Sequence, residues 1–131
     1  MRGGTRVDGT RIALVCVVAI AAAVRFVRIG HQSFEYDEIV TLRLVHHSFG
    51  GMLSTIPTSE STPPLYYALA WVWVKAFGAS EAGIRSLSAV FGTVTVPVAY
   101  VVGRTMLRSR GGGLAVAAMT SVAPVLVWYS Q

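Results

Sequence analysis

Residues 12–29 read IALVCVVAIAAAVRFVRI, eighteen positions with only two charges, both near the far end. A helix needs about 20 predominantly apolar residues, with a lower limit near 17, to cross the hydrocarbon core. The composition favours that setting: 53% of the chain is hydrophobic and 13% charged. Soluble domains carry nearer a quarter of their residues charged. The run is long and lacks a small-residue cleavage site before polar sequence, so it reads as an uncleaved anchor and not a signal peptide. Arg25 and Arg28 can snorkel from its end toward headgroups, the alternative being an outward-facing binding role. Cys16, the single cysteine, lies inside the run and is expected to be inert packing.

Two further segments are expected to span, 84–107 and 112–128, with Pro97 kinking the first of them. Between the first and second spans lies a longer, more polar loop, 30–83. Its stretch DEIVTLRLVHHSFGGML places Ile39, Leu42, Val45, Phe49 and Met52 at helical spacing. Asp37 can cap that helix, Glu38 sits in its first turn, and Gly50 and Gly51 end or bend it. Its polar face and length suit an interfacial helix better than a span. PTSESTPP, with Pro57, Pro63 and Pro64, predicts a rigid turn. Residues 65–77 predict a second interfacial helix, roughly 20 Å long, rich in Tyr66, Tyr67, Trp71 and Trp73. Ser80 can cap the next helix, and Glu81 can pair with Arg85 four residues on. The expected fold is therefore all-α and integral to the membrane, with three transmembrane helices and two interfacial amphipathic helices in the first external loop. The final residues, WYSQ, come directly after an apolar run, so the chain reads as the N-terminal part of a longer polytopic protein.

The net charge of +5 does not point to nucleic acid, because the basic residues are scattered around the apolar runs and form no concentrated patch. They set topology instead. Arg2, Arg6 and Arg11 at one end, and Arg104, Arg108 and Arg110 later, fall on the same side, the cytoplasmic one under the positive-inside rule. Glu35, Asp37, Glu38, Glu60 and Glu81 then all lie outside.

Half of the six acids sit in SFEYDEIVTL, and that concentration is where chemistry is expected. Asp37 and Glu38 can act as a general base on a hydroxyl or amine, or hold a divalent cation beside a phosphate. Equally, they can do no more than cap a helix in headgroup water. Arg43 and Arg85 are candidate donor-phosphate partners, since guanidinium matches phosphate geometry, although each can also bind a lipid headgroup. His31, His46 and His47 form no zinc spacing. RGGGLA lacks the lysine and serine of a nucleotide loop, so Gly111 to Gly113 are expected to shape the turn into the last span.

Three blocks carry a family resemblance: RFVRIGHQSFEYDEIVTL, then STPPLYYALAWVWVKAFGASEAGIRSLSAVFGTVTVPVAYVVGR, then GGGLAVAAMTSVAPVLVWYSQ. In this order they resemble the N-terminal part of the polytopic lipid-phosphosugar-dependent glycosyltransferases, the protein mannosyltransferase and aminoarabinose transferase-like membrane enzymes of the GT-C superfamily. The resemblance implies transfer of a sugar from a polyprenyl- or dolichyl-phosphate donor to a protein, lipid or glycan acceptor, with inversion, outside a prokaryotic plasma membrane. Asp37 matches the family's main catalytic carboxylate and Glu38 its neighbour. Thr62 stands where the family usually has a histidine before the paired prolines. The alternative is a non-catalytic polytopic membrane protein or a transporter segment. A transporter places its polar site near mid-membrane, however, and these acids lie outside the runs.

Overall fold

A computed structural model of the chain describes residues 4–27, 29, 36–59 and 64–129. Among them the fold is all-α, with seven helices: α1 (Gly4–Phe26), α2 (Tyr36–His46), α3 (Phe49–Ser59), α4 (Pro64–Phe77), α5 (Glu81–Met106), α6 (Arg110–Val122) and α7 (Pro124–Trp128). The chain divides into two compact units. One comprises residues 1–28 with 88–131, and the other residues 29–87.

The first unit packs α1, the larger part of α5 and α6 around Ala21, Val96, Tyr100 and Ala117, with Leu14, Val17, Val18 and Leu114 against them. On α1 these inward positions recur at helical spacing, 14, 17, 18 and 21, and continue to Arg25. The opposite face leaves Ile12, Val15, Ile20 and Val24 exposed, and Cys16 is exposed as well rather than packed. On α5, Phe91, Val94, Val98 and Val101 are likewise exposed. Within α1, residues Gly9–Phe26, and the whole of α5 are long and apolar enough to cross a membrane. Helices α5 and α6 approach through small residues. A Cβ at Gly103 would meet Val116 at 2.8 Å, and one at Gly113 would meet the Tyr100 carbonyl at 2.8 Å. The turn between them uses Arg108 with φ 49°, and Ser109 caps α6 by accepting from the Gly112 N–H at 3.2 Å.

The expected third span, 112–128, is overturned. Helix α6 stops at Val122, and Ala123 turns extended (φ −57°, ψ 118°) before the five-residue α7. Proline disfavours the α conformation in the residue before it and has no N–H to donate. Neither α6 nor α7 alone has the length of a span. Among the described residues, two helices therefore have spanning length, not three. Pro97 behaves differently: α5 runs unbroken through it from Glu81 to Met106.

Arg25 does not snorkel. It is 1% exposed, and its Nη1 donates to Ala21 O (3.1 Å) and Ser121 O (2.9 Å) while Nη2 donates to Thr120 O (3.3 Å). Thr120 O is the carbonyl that the absent Pro124 N–H would have served in a continuous helix. The guanidinium thus satisfies the end of α6 where the proline breaks it.

The second unit corrects the two expected interfacial helices. Three helices, α2, α3 and α4, pack on one another in pairs. Leu44, Met52 and Tyr67 form one buried cluster; Val45, Ala70 and Leu87 form another. The apolar stripe expected to lie in the membrane interface thus supplies protein core at Val45 and Met52, and leaves Ile39 and Phe49 partly exposed. The aromatic residues of α4 also turn inward. Trp71 Nε1 donates to His47 O (3.0 Å) and Trp73 Nε1 to Ser86 Oγ (2.8 Å). The break after α2 falls at His47 and Ser48, with Ser48 Oγ accepting from the Gly51 N–H at 3.3 Å. Gly50 and Gly51 therefore lie in the first turn of α3, and Pro57 lies inside α3 instead of opening a turn. Gly78, at φ 89°, ends α4 in the left-handed conformation that glycine tolerates.

Candidate functional site

Helix α2 opens with the acidic pair. Position 37 lies one helical turn before Thr41 and two before Leu44, both buried, so the pair stands at the start of the packed face of α2. Glu38 is half-buried and reaches the first turns of α5. There Ser80 Oγ caps the helix by accepting from the Gly83 N–H (3.1 Å), as its position suggested. Gly83 allows a close approach, since a Cβ there would collide with Gly78 O. Arg85 comes next on the buried side of α5, 6% exposed.

A guanidinium that far from water needs a counter-charge or a set of hydrogen-bond acceptors. Arg85 Nε donates to Glu38 Oε1 at 2.5 Å and Nη2 to Glu38 Oε2 at 2.7 Å, a bidentate pair, while Nη1 donates to Ile29 O at 3.2 Å. This corrects the expected Glu81–Arg85 pair: the partner lies 47 residues away on another helix. Three of the Arg85 N–H groups are thus engaged by Glu38 and the Ile29 carbonyl, and both Glu38 oxygens accept from the fork. Among the described residues no group of three or more His, Cys, Asp or Glu can hold a metal.

Arg43 lies in the last turn of α2 and is exposed. On a helical wheel it stands roughly 120° from position 37, six residues on, so the structure does not bring the two onto one face. His46 Nδ1 lies 2.7 Å from Leu42 O, one turn back in its own helix, and His47 is exposed. Glu35, His31, Glu60, Thr62, Arg28 and the Ser130–Gln131 end lie outside the described residues, as do the side chains of Asp37, Arg2 and Arg6.

The arginines expected to anchor topology are all exposed. Arg104 is in the last turn of α5, where a cation complements the helix dipole, Arg108 is in the turn, and Arg110 opens α6. Two buried arginine contacts have no signal in the sequence. One is the inward turn of Arg25; the other is the bond between Glu38 and Arg85. Both join residues far apart in the chain, for which no local spacing gives a signal. Compared with known protein families, characterised proteins and solved structures, the chain matches none of them.

Proposed function

We propose that the chain is part of an integral membrane glycosyltransferase that moves a sugar from a polyprenyl-phosphate donor to an acceptor on the outer side. The single observation that carries this reading is the Glu38–Arg85 pair. A helix cap in headgroup water has no need of a buried bidentate guanidinium. A pair of that kind ties the first turn of α2, in which position 37 lies, to Arg85 of α5. The exposed apolar faces of α1 and α5 support a membrane setting, because lipid is the solvent that tolerates them. With both helices across the bilayer, the N-terminal arginines and Arg104, Arg108 and Arg110 share the cytoplasmic side, and the chain between the two spans lies outside.

In the reaction, an acceptor hydroxyl or amine attacks the anomeric carbon of the donor. The new bond forms between that nucleophile and the carbon as the carbon–oxygen bond to the lipid phosphate breaks, which inverts the centre. Asp37 takes the acceptor's proton, and the lipid phosphate departs with the bonding electron pair. Glu38 acts as a positioning residue through Arg85. Arg43, exposed in the last turn of α2 and off the face of position 37, takes the lipid phosphate only after it has left the reacting carbon.

The test is transfer from polyprenyl-phosphate sugars in lipid, with Asp37→Asn beside the wild type. General-base catalysis contributes about 10²- to 10⁴-fold, so the variant should lose activity on that scale while folding and donor binding persist. Equal activity in the two proteins would reduce the acidic pair to helix capping.

A further inference from the structure

Away from the acidic pair, a half-open cavity of about 310 Å³ lies in the unit formed by α1, α5 and α6. It is lined by Thr10, Arg11, Leu14, Tyr100, Arg104 and Arg110. By sequence Arg104 and Arg110 belong, with Arg108, to one basic cluster that sets topology. The fold instead gathers them with Arg11 around one space, each from a different helix. We propose that this cavity is a binding site for a phosphate group, carried by an anionic lipid headgroup or free in solution.

Four features converge on that chemistry. Three guanidiniums supply fork-shaped donors that match phosphate oxygens. None of the three is paired with a carboxylate among the described residues. Arg110 is the first residue of α6, so the positive end of that helix's dipole stands beside the cavity. The N–H groups of Arg110 and Gly111 add donors there, while Ser109 takes the Gly112 N–H with its hydroxyl and the Gly113 N–H with its carbonyl. The walls have the mixed character of a ligand site: Tyr100 is buried and Leu14 packs against the core, so the floor is apolar and the rim cationic. Gly113 matters here as well. Its lack of a side chain lets α6 lie against the Tyr100 carbonyl and Arg104, which brings Arg110 to the same space. The acid nearest in sequence is Asp8, three positions before Arg11. Three arginines outweigh it wherever it lies. Arg108, although adjacent in the chain, does not line the cavity and serves as the internal control.

The experiment uses the full chain in dodecylmaltoside and follows its thermal unfolding by helical circular dichroism. One arm adds dioleoylphosphatidic acid, the other inorganic phosphate. The expected result is a saturable rise in Tm. Half-saturation should move about fivefold higher for each of Arg11→Gln, Arg104→Gln and Arg110→Gln, and stay unchanged for Arg108→Gln. Arg104→Lys and Arg110→Lys, which keep the charge but lose the fork, should fall between. Thr10→Trp preserves every charge and fills the cavity, so it should abolish saturation. A response to the lipid alone identifies a headgroup as the ligand. A response to both, with phosphate displacing the lipid, identifies the phosphate group itself. No saturable response in either arm would overturn the proposal. So would an effect of Arg108→Gln as large as that of Arg104→Gln, because diffuse surface charge would then account for binding.

Discussion

Among the described residues each unit buries one arginine deeply, and the two are held by different means. In the unit of α2, α3, α4 and the start of α5, Arg85 grips a carboxylate with two parallel bonds. In the unit of α1, α5 and α6, Arg25 lies at 1% exposure against three backbone carbonyls, and its Nε has no partner among the described residues. An ion pair needs a second charge of opposite sign held in register. Carbonyls at a broken helix end are partial charges that the backbone supplies in any sequence. The difference teaches that proline can create a site for a cation where no acid is present. The Arg85 pair fixes the geometry of one acidic motif, whereas Arg25 makes a helix break tolerable.

Removing the carboxylate strains this contrast most. Glu38→Ala leaves a guanidinium buried and uncompensated, and should cost about 3–5 kcal/mol of stability in thermal or denaturant unfolding. Hydrogen exchange should report the loss in residues 36–59 and 64–87 first. Arg85→Lys keeps charge but not the fork, so it should recover only part of that loss.

For Arg25 the expected cost is smaller, about 2–3 kcal/mol for Arg25→Met, because the acceptors are neutral and part of the guanidinium is already unsatisfied. The sharper measurement is a double-mutant cycle with Pro124→Ala. Alanine restores the N–H that Thr120 O lacks, so the loss from Arg25→Met should shrink by about 1 kcal/mol in that background. Simple additivity of the two changes would refute the link between the arginine and the proline.

Helix approach offers a third contrast. Gly113→Ala places a methyl against the Tyr100 carbonyl at 2.8 Å and Arg104 Cβ at 2.9 Å, and should cost about 1–3 kcal/mol. Gly50→Ala, in the other unit, meets nothing within 4 Å and sits in a helix. It should stabilise by about 0.5–1 kcal/mol, the smallest effect of the series.

How much of this was legible in the sequence depends on the range of the determinant. The apolar run of α1 and the Ser80 cap of α5 are set by neighbours within a turn or two, and both were readable. Pro97 and Pro124 show where reading stops. The two look alike in apolar sequence, yet α5 continues through one and α6 ends before the other. The end of α6 is stabilised by a side chain 95 residues upstream, which no local pattern encodes. The break at Ser48 was missed because the two glycines after it are the stronger local signal, while the serine hydroxyl supplied the cap. At the candidate site the acidic pair itself was visible, but its partner was not. Glu81 stood at ideal helical spacing from Arg85, yet the partner is Glu38, 47 residues away, a tertiary contact.

The bonds from Arg25 to Thr120 and Ser121 also impose an order on synthesis. Residues 29–87 form a contiguous unit and can collapse on local contacts as soon as they have been made. The unit around α1 has its two halves separated by that entire stretch, so it closes late and across a long loop. While the intervening residues emerge, α1 must wait with a guanidinium whose acceptors have not yet been translated. A nascent chain arrested before residue 120 should therefore hold a formed second unit beside an α1 still seeking partners for its charge.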